Sequence, residues 1–177
     1  PRLGCAPDDF IRTSEARHQE GVQALWKQIE DRGDIYLGHY EGLYCVGCEA
    51  YYTEKELTQP GNVCPLHGKP AELVKEESYF FRLSRYGEKL LALYEEHPDF
   101  VMPSSRMNEV KSFVREGLAD LSISRTTFQW GVPVPGNPRH VMYVWFDALS
   151  NYLTALQRPE DRSRFWPASV HLVGKDI

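Results

Sequence analysis

The apolar positions near the N-terminus recur at helical spacing. Val22, Leu25, Trp26 and Ile29 follow i, i+3, i+4, i+7 and predict an amphipathic helix. Thr13 and Ser14 stand where N-caps belong, and Gly33 stands where a C′ glycine ends a helix. Residues 35 to 44 are rich in aromatic and β-branched side chains and predict a strand. Residues 45 to 68 form a compact, turn-rich stretch. Tyr79-Phe80-Phe81 predicts a short strand leading to a helix capped near Ser84, packed through Leu90, Leu91 and Tyr94 and ended before Pro98. A further helix is predicted from about Ser105 to Glu116, with Met107, Val110, Phe113 and Val114 on one face and Gly117 as the stop.

From Ala119 to Pro138 prolines and glycines predict loops. His140 to Trp145 is apolar on both alternating sets, the pattern of a strand buried on both faces. Asp147 is read as the cap of a helix whose inner face is Leu149, Tyr152, Leu153 and Leu156. Val170 to Val173 predicts one more short strand. The ends thus read as βα units of a parallel sheet. The middle reads as an inserted α+β module, with boundaries near residues 35 and 140.

With 177 residues, 42% of them hydrophobic, the chain can form one large domain or two small ones with a real core. The net charge of −5 carries no basic footprint of a nucleic-acid binder. No apolar run approaches the ~20 residues that span a bilayer. The start, Pro1-Arg2-Leu3-Gly4-Cys5, is not an initiator methionine followed by a targeting segment, and the chain reads as excised at both ends.

Three of the four cysteines cluster with metal-ligand spacing. Cys45-Val46-Gly47-Cys48 is a C-x2-C knuckle, and Cys64-Pro65-Leu66-His67 is a C-x2-H knuckle. Three thiolates and one imidazole suit a closed tetrahedral zinc site. Gly47 and Gly68 permit the tight turns that aim both ligands of a knuckle inward. The alternative is a set of unrelated reduced thiols, which a lone C-x2-C would leave open; the paired knuckles favour zinc. A secreted disulfide framework or a thioredoxin-type redox site fits the context less well. Cys5 reads as an ordinary thiol, and His18, His39 and His97 as exposed or capping residues without a named partner.

Six stretches together resemble the methionyl-tRNA synthetases, a family of class I aminoacyl-tRNA synthetases. They are Phe10 to His18, then Tyr40 to Cys45 with Tyr52 to Leu57, Asp120-Leu121-Ser122-Ile123-Ser124-Arg125, Trp130 to Pro135, Tyr143 to Tyr152, and His171 to Ile177. The matches are collinear and cover essentially the whole chain. The fold implied is α/β: parts of a parallel Rossmann-type catalytic sheet flanking an inserted α+β connective domain with a zinc knuckle. Residues 1–34 would end the first half of the catalytic domain, 35–139 would be the connective domain, and 140–177 would begin the second half.

The resemblance also implies roles. Trp145, Ala148, Leu149, Tyr152 and Ile177 would line the methionine side-chain pocket. Gly174 and Asp176 would face the ATP ribose, and Arg125 would brace the amino-acid end of the site. Cys45, Cys48, Cys64 and His67 would hold structural zinc. The chemistry of the residues agrees. Aromatic walls suit a thioether, and Trp and Tyr add rigid area with a polar handle. A carboxylate at a strand's C-terminal end, such as Asp176, can accept hydrogen bonds from a ribose diol. Without the resemblance, Trp145 and Tyr152 read as core aromatics and Arg125 as a surface ion pair.

The resemblance implies methionine, ATP with Mg2+ and tRNA(Met) as partners, a cytoplasmic location and no membrane. This sequence departs from many relatives at Leu149, where they have Pro, and it has one knuckle pair where another branch has two. The phosphate-stabilising H-I-G-H-type and K-M-S-K-S-type signatures are absent between Pro1 and Ile177, so this stretch alone is expected to be inactive. The rival reading is a stand-alone zinc-knuckle module that binds RNA or protein without catalysis.

Overall fold

The computed structural model describes residues 4, 6–45, 47, 50–52, 57, 61–156 and 164–174. The first helix, α1 (Ala16–Asp31), buries His18, Val22 and Trp26 along one stripe. Gly33 follows its end at φ +75°, as a C′ glycine does. Its start differs from the sequence expectation. Glu15 is the N-cap in place of Thr13 or Ser14, and no side chain caps the helix. Instead the Glu15 carboxylate turns back and accepts the Arg12 N–H at 3.0 Å.

Strand β1 (Ile35–Cys45) runs antiparallel to β3 (Glu72–Phe81) in a two-stranded arm, paired from Ile35↔Phe81 to Tyr44↔Glu72. A short β2 (Ala50–Tyr52) adds to the far end of β1. At the near end β4 (Leu121–Ser122) pairs with Phe80 and Phe81. Strand β3 is therefore much longer than Tyr79-Phe80-Phe81. The polar stretch Lys75 to Ser78 separates the apolar inner end from Leu73 and Val74 further out.

The helical pair α2 (Gly87–Glu96) and α3 (Ser104–Arg115) packs through Leu90, Leu91, Tyr94, Met107, Val110 and Val114. Phe113 does not join that face and is 65% exposed. It lies one residue, about 100° of helix rotation, from Val114. Ser84 does not cap α2. It sits in a 3-10 turn, Leu83–Tyr86, and donates to Asp120 Oδ1 through Oγ at 2.6 Å and through its backbone N–H at 3.2 Å.

A second sheet holds β5 (Ser124–Arg125), β6 (Pro133–Val134) and β7 (Asn137–Met142) in the order β5-β7-β6. All strand pairs among the described residues are antiparallel. The parallel Rossmann-type arrangement is thus absent among them, and two details give the reason. Strand β7 loses its partners after Met142. The Tyr143 N–H still reaches Ile123 O, and Phe146 and Asp147 then bond back to Tyr143 O, which starts a helix. Trp145 accordingly stands in α4 (Val144–Asp147), not in a strand. Residues 170 to 173 form no strand, with Leu172 90% exposed, because no described strand lies beside them.

The run continues from α4 through a 3-10 turn, Ala148–Ser150, to α5 (Asn151–Thr154). The main core joins α1 to both sheets through Val22, Trp26, Ile35, Ile123, Val132, Val134 and Met142. A separate small cluster, Leu43, Leu57 and Ala71, sits at the outer end of the arm. No helix among the described residues is long and apolar enough to cross a membrane.

Candidate functional site

Trp145, Ala148, Leu149 and Tyr152 stand at i, i+3, i+4 and i+7 of the helical run from Val144 to Thr154. That spacing puts them on one face. Trp145 is 41% and Leu149 39% exposed, while Ala148 and Tyr152 are half-buried. Tyr152 stacks on His171, with ring centres 5.2 Å apart and planes at 18°. The opposite face is closed: Ser150 and Thr154 are buried, and Phe146 meets the Trp26 ring edge-on at 5.1 Å. The four residues thus form an open apolar wall with a rigid back. Gly174 is exposed just beyond His171. Asp176 and Ile177 lie outside the described residues.

Arg125 is buried rather than at the surface. Its Nη1 donates to Ser122 Oγ at 2.6 Å and to Ser124 O at 2.7 Å. Its guanidinium lies 3.9 Å from the centre of the Tyr143 ring, a cation–π contact two residues before Trp145. Behind it, Ser78 Oγ is 2.7 Å from Ser122 Oγ and donates to Ser124 O. Ser124 Oγ accepts the Tyr79 N–H at 2.8 Å and lies 3.0 Å from His140 Nδ1. His140 Nε2 is 3.1 Å from Glu77 Oε1. That bond from His140 outweighs desolvation and holds the Glu77 carboxyl below its ordinary range. A serine, histidine and glutamate in line suggest a hydrolytic triad, but Ser124 and His140 are fully buried and no substrate reaches them. The network ties the inner end of β3 to β5 and β7.

Two buried histidines escaped the sequence reading. His18 is fully enclosed, with Nδ1 2.7 Å from Thr154 Oγ1 and Nε2 2.7 Å from Asp147 Oδ1. The expectation was an exposed or capping residue, yet it precedes Val22 by four residues and Trp26 by eight. That spacing places it on the buried stripe. Asp147, read as an N-cap, makes no side-chain cap and instead binds His18. His140 had no comparable signal, since its partners come from β3 and β5. His39 and His97 are exposed, as expected.

At the far end of the arm, Cys45, Cys64 and His67 bring their ligand atoms within 4.8 Å of one another. The Cys45 and Cys64 sulfurs lie 3.9 and 4.0 Å from His67 Nδ1. Zn–S bonds of about 2.3 Å and Zn–N bonds of about 2.0–2.1 Å give a tetrahedral edge of roughly 3.6 Å. Both sulfur–nitrogen distances are within a few tenths of an ångström of that edge, and all three donors lie within 4.8 Å of one another, so the set fits a zinc ion after a modest closing shift. Both thiols are buried and the imidazole is exposed. Burial raises the Cys64 thiol. Hydrogen bonds from the His67 and Leu66 backbone, the His67 ring and Cys45 outweigh it and bring the thiol to about 6. Gly68 has φ +62°, as the turn demands. Gly47 is required for space instead: a Cβ there would sit 2.8 Å from the His67 ring. Cys48 and Cys5 lie outside the described residues.

The family model described as tRNA synthetases class I (M) matches residues 2–66 and 55–177. The chain belongs to this family. Among curated relatives, this class I (M) chain is 55% identical over 174 residues to a methionine–tRNA ligase of Caldanaerobacter subterraneus subsp. tengcongensis. The match covers 96% of this chain and 27% of the relative. It is 56% identical over 180 residues to a methionine–tRNA ligase of Brucella suis biovar 1, covering 99% and 35%. Mycobacterium tuberculosis methionyl-tRNA synthetase in complex with methionyl-adenylate superposes with a TM-score of 0.86 at 50% identity, covering 99% of this chain and 36% of that one. The free-state form of the same protein gives 0.83 at 49% identity. This class I (M) chain spans about a third of the length of the curated relatives it matches.

Proposed function

We propose that this chain is the central part of a methionine–tRNA ligase. That enzyme joins the methionine carboxylate to the α-phosphate of ATP with release of pyrophosphate, then passes the methionyl group to a tRNA(Met) hydroxyl with release of AMP. The observation that carries the reading is the half-open wall of Trp145, Ala148, Leu149 and Tyr152 on one helical face. It occurs in a chain half identical to a synthetase solved with methionyl-adenylate.

Within this reading the chain supplies selectivity. A thioether on Trp145 and Tyr152 gains sulfur–aromatic contact. Ala148 leaves room for the side chain, and Ile177 completes the pocket. Gly174 and Asp176 face the ribose of ATP, which enters with Mg2+. Arg125 braces the pocket through Tyr143. Residues 1–34 and 140–177 belong to the catalytic domain, and 35–139 form the connective domain. The protein acts in the cytoplasm. The test is methionine-dependent ATP–pyrophosphate exchange by the full-length gene product. Exchange is expected with methionine and not with leucine or valine. Absence of exchange with methionine would overturn the reading.

Cys45, Cys48, Cys64 and His67 hold one structural zinc in this reading, which cross-links the two knuckles and stiffens the tip of the arm. The converging ligand atoms support it. Elemental analysis of protein purified without added zinc should find about one equivalent. Cys48→Ser and His67→Ala should each lower that content and loosen residues 45 to 68, read by amide exchange. A folded, metal-free preparation would refute the zinc assignment and leave the family untouched.

A further inference from the structure

Residues 144 to 154 do not form one regular helix. The run is assembled from four helical residues, three in a 3-10 turn and four more helical residues. Pieces this short have little stability of their own. The angle at which their outer face points must therefore come from contacts behind them. Phe146 against Trp26 is one such contact, an edge-on apolar packing with no hydrogen bond to fix its direction.

His18 supplies the directional contact. It is separated by more than a hundred residues from both partners and reaches them from α1. Asp147 and Thr154 stand seven residues apart, about two turns, so the imidazole grips the run at two points along its length. The chemistry fixes the role of Nε2. An ionised carboxylate only accepts, so Nε2 carries hydrogen and donates to Asp147. Nδ1 meets the Thr154 hydroxyl, which can either donate or accept. Both ring nitrogens are thereby satisfied in a fully buried side chain. Asp147 lies between Trp145 and Ala148, the first two residues of the outer wall.

We propose that His18 is a positioning residue for methionine: by holding Asp147 and Thr154 from behind, it sets the angle at which Trp145, Ala148, Leu149 and Tyr152 meet the ligand. The inference rests on the proposed function. A binding wall loses its fit when it turns by as little as roughly 10–20°, and a misplaced wall affects the ligand it touches rather than the whole enzyme.

Two near-isosteric replacements separate this from a role in folding alone. The amide of His18→Gln extends to the place of Nε2 and keeps the donation to Asp147. The shorter His18→Asn occupies the place of Nδ1 and keeps only Thr154. Both are tested in the full-length protein by ATP–pyrophosphate exchange. In His18→Asn the KM for methionine should rise about tenfold, the effect of one charge-assisted hydrogen bond. In His18→Gln it should rise less than about threefold, and the KM for ATP should change less than about twofold in either. An unchanged methionine KM in His18→Asn would overturn the inference, as would equal rises for methionine and ATP. So would a loss of kcat alone in both variants, because that is what a merely structural histidine gives. Should His18→Asn not fold, Asp147→Ala carries the test, since it removes the acceptor and leaves the buried ring in place. The same methionine-selective rise is expected there, and its absence would overturn the inference. A wild-type protein silent with methionine would instead remove the proposed function, and this inference with it.

Discussion

Truncating Trp145 to Ala in the full-length protein is expected to lower kcat/KM for methionine by 10²-fold or more while changing the KM for ATP far less. Loss of an aromatic contact to a bound ligand amounts to a few kcal/mol, and about 2.7 kcal/mol is already a hundredfold. Trp145 is 41% exposed on the open side of its helix, so the free protein depends on it little for its core. The methionine effect should therefore come without a large fall in melting temperature. Tyr152→Ala should act in the same direction. It also removes the ring stacked on His171, which loosens the stretch leading to Gly174. Equal losses for methionine and ATP would make these aromatics scaffold rather than pocket.

The 177-residue chain on its own should show no methionine-dependent ATP–pyrophosphate exchange. Adenylate formation drives a carboxylate onto the α-phosphate, and negative charge builds as pyrophosphate leaves. Between Pro1 and Ile177 there is no histidine signature, no lysine loop and no glycine-rich phosphate cradle to meet that charge. Loss of a single stabilising donor can lower a rate by roughly 10²–10³-fold, and here several are missing together. The comparison is with the full-length gene product assayed in parallel. Robust exchange by the shorter chain would show that the catalytic groups had been misassigned.

The sequence made α1 legible because its buried stripe is long and regular. The same stripe contains His18, whose polar side chain hides it from the apolar pattern. Metal chemistry fixes both residue type and spacing, and of the four ligands expected the structure brings Cys45, Cys64 and His67 together, with Cys48 outside the described residues. The strand expected through Trp145 failed for a physical reason. Val141 to Trp145 alternates two apolar sets, which suits a buried strand. What ends β7 is the loss of pairing partners after Met142, a fact held by distant residues. The outcome nevertheless gave the wall a more coherent form than a strand could. Residues 145, 148, 149 and 152 would alternate between the two sides of a strand but share one side of a helix. The outer half of β3 was less legible for a related reason: apart from Leu73 and Val74 its residues are polar, and they pair with β1 through the backbone ladder and a Lys75–Glu41 ion pair at 3.6 Å.

The paired length of β1 and β3 has a mechanical consequence. From Ile35↔Phe81 to Tyr44↔Glu72 the two strands advance nine residues together, roughly 30 Å at the rise of antiparallel strands. The inner end is pinned: Tyr86 donates to Asp34 at 2.7 Å and Tyr36 to Asp120 at 3.0 Å. The outer end touches its own small cluster, which shares no residue with the main core. The strands are held again at mid-length, where buried Glu76, opposite Tyr40, accepts hydrogen bonds from Thr126 and Thr127, so the free lever is the stretch beyond Glu76. A tilt of 10° there carries the cysteine tip through roughly 2–3 Å, on the strand rise already used. The same tilt moves Ile35 hardly at all. Movement at the tip is thus confined to the last few strand pairs, and the wall of Trp145 and Tyr152 lies outside its reach.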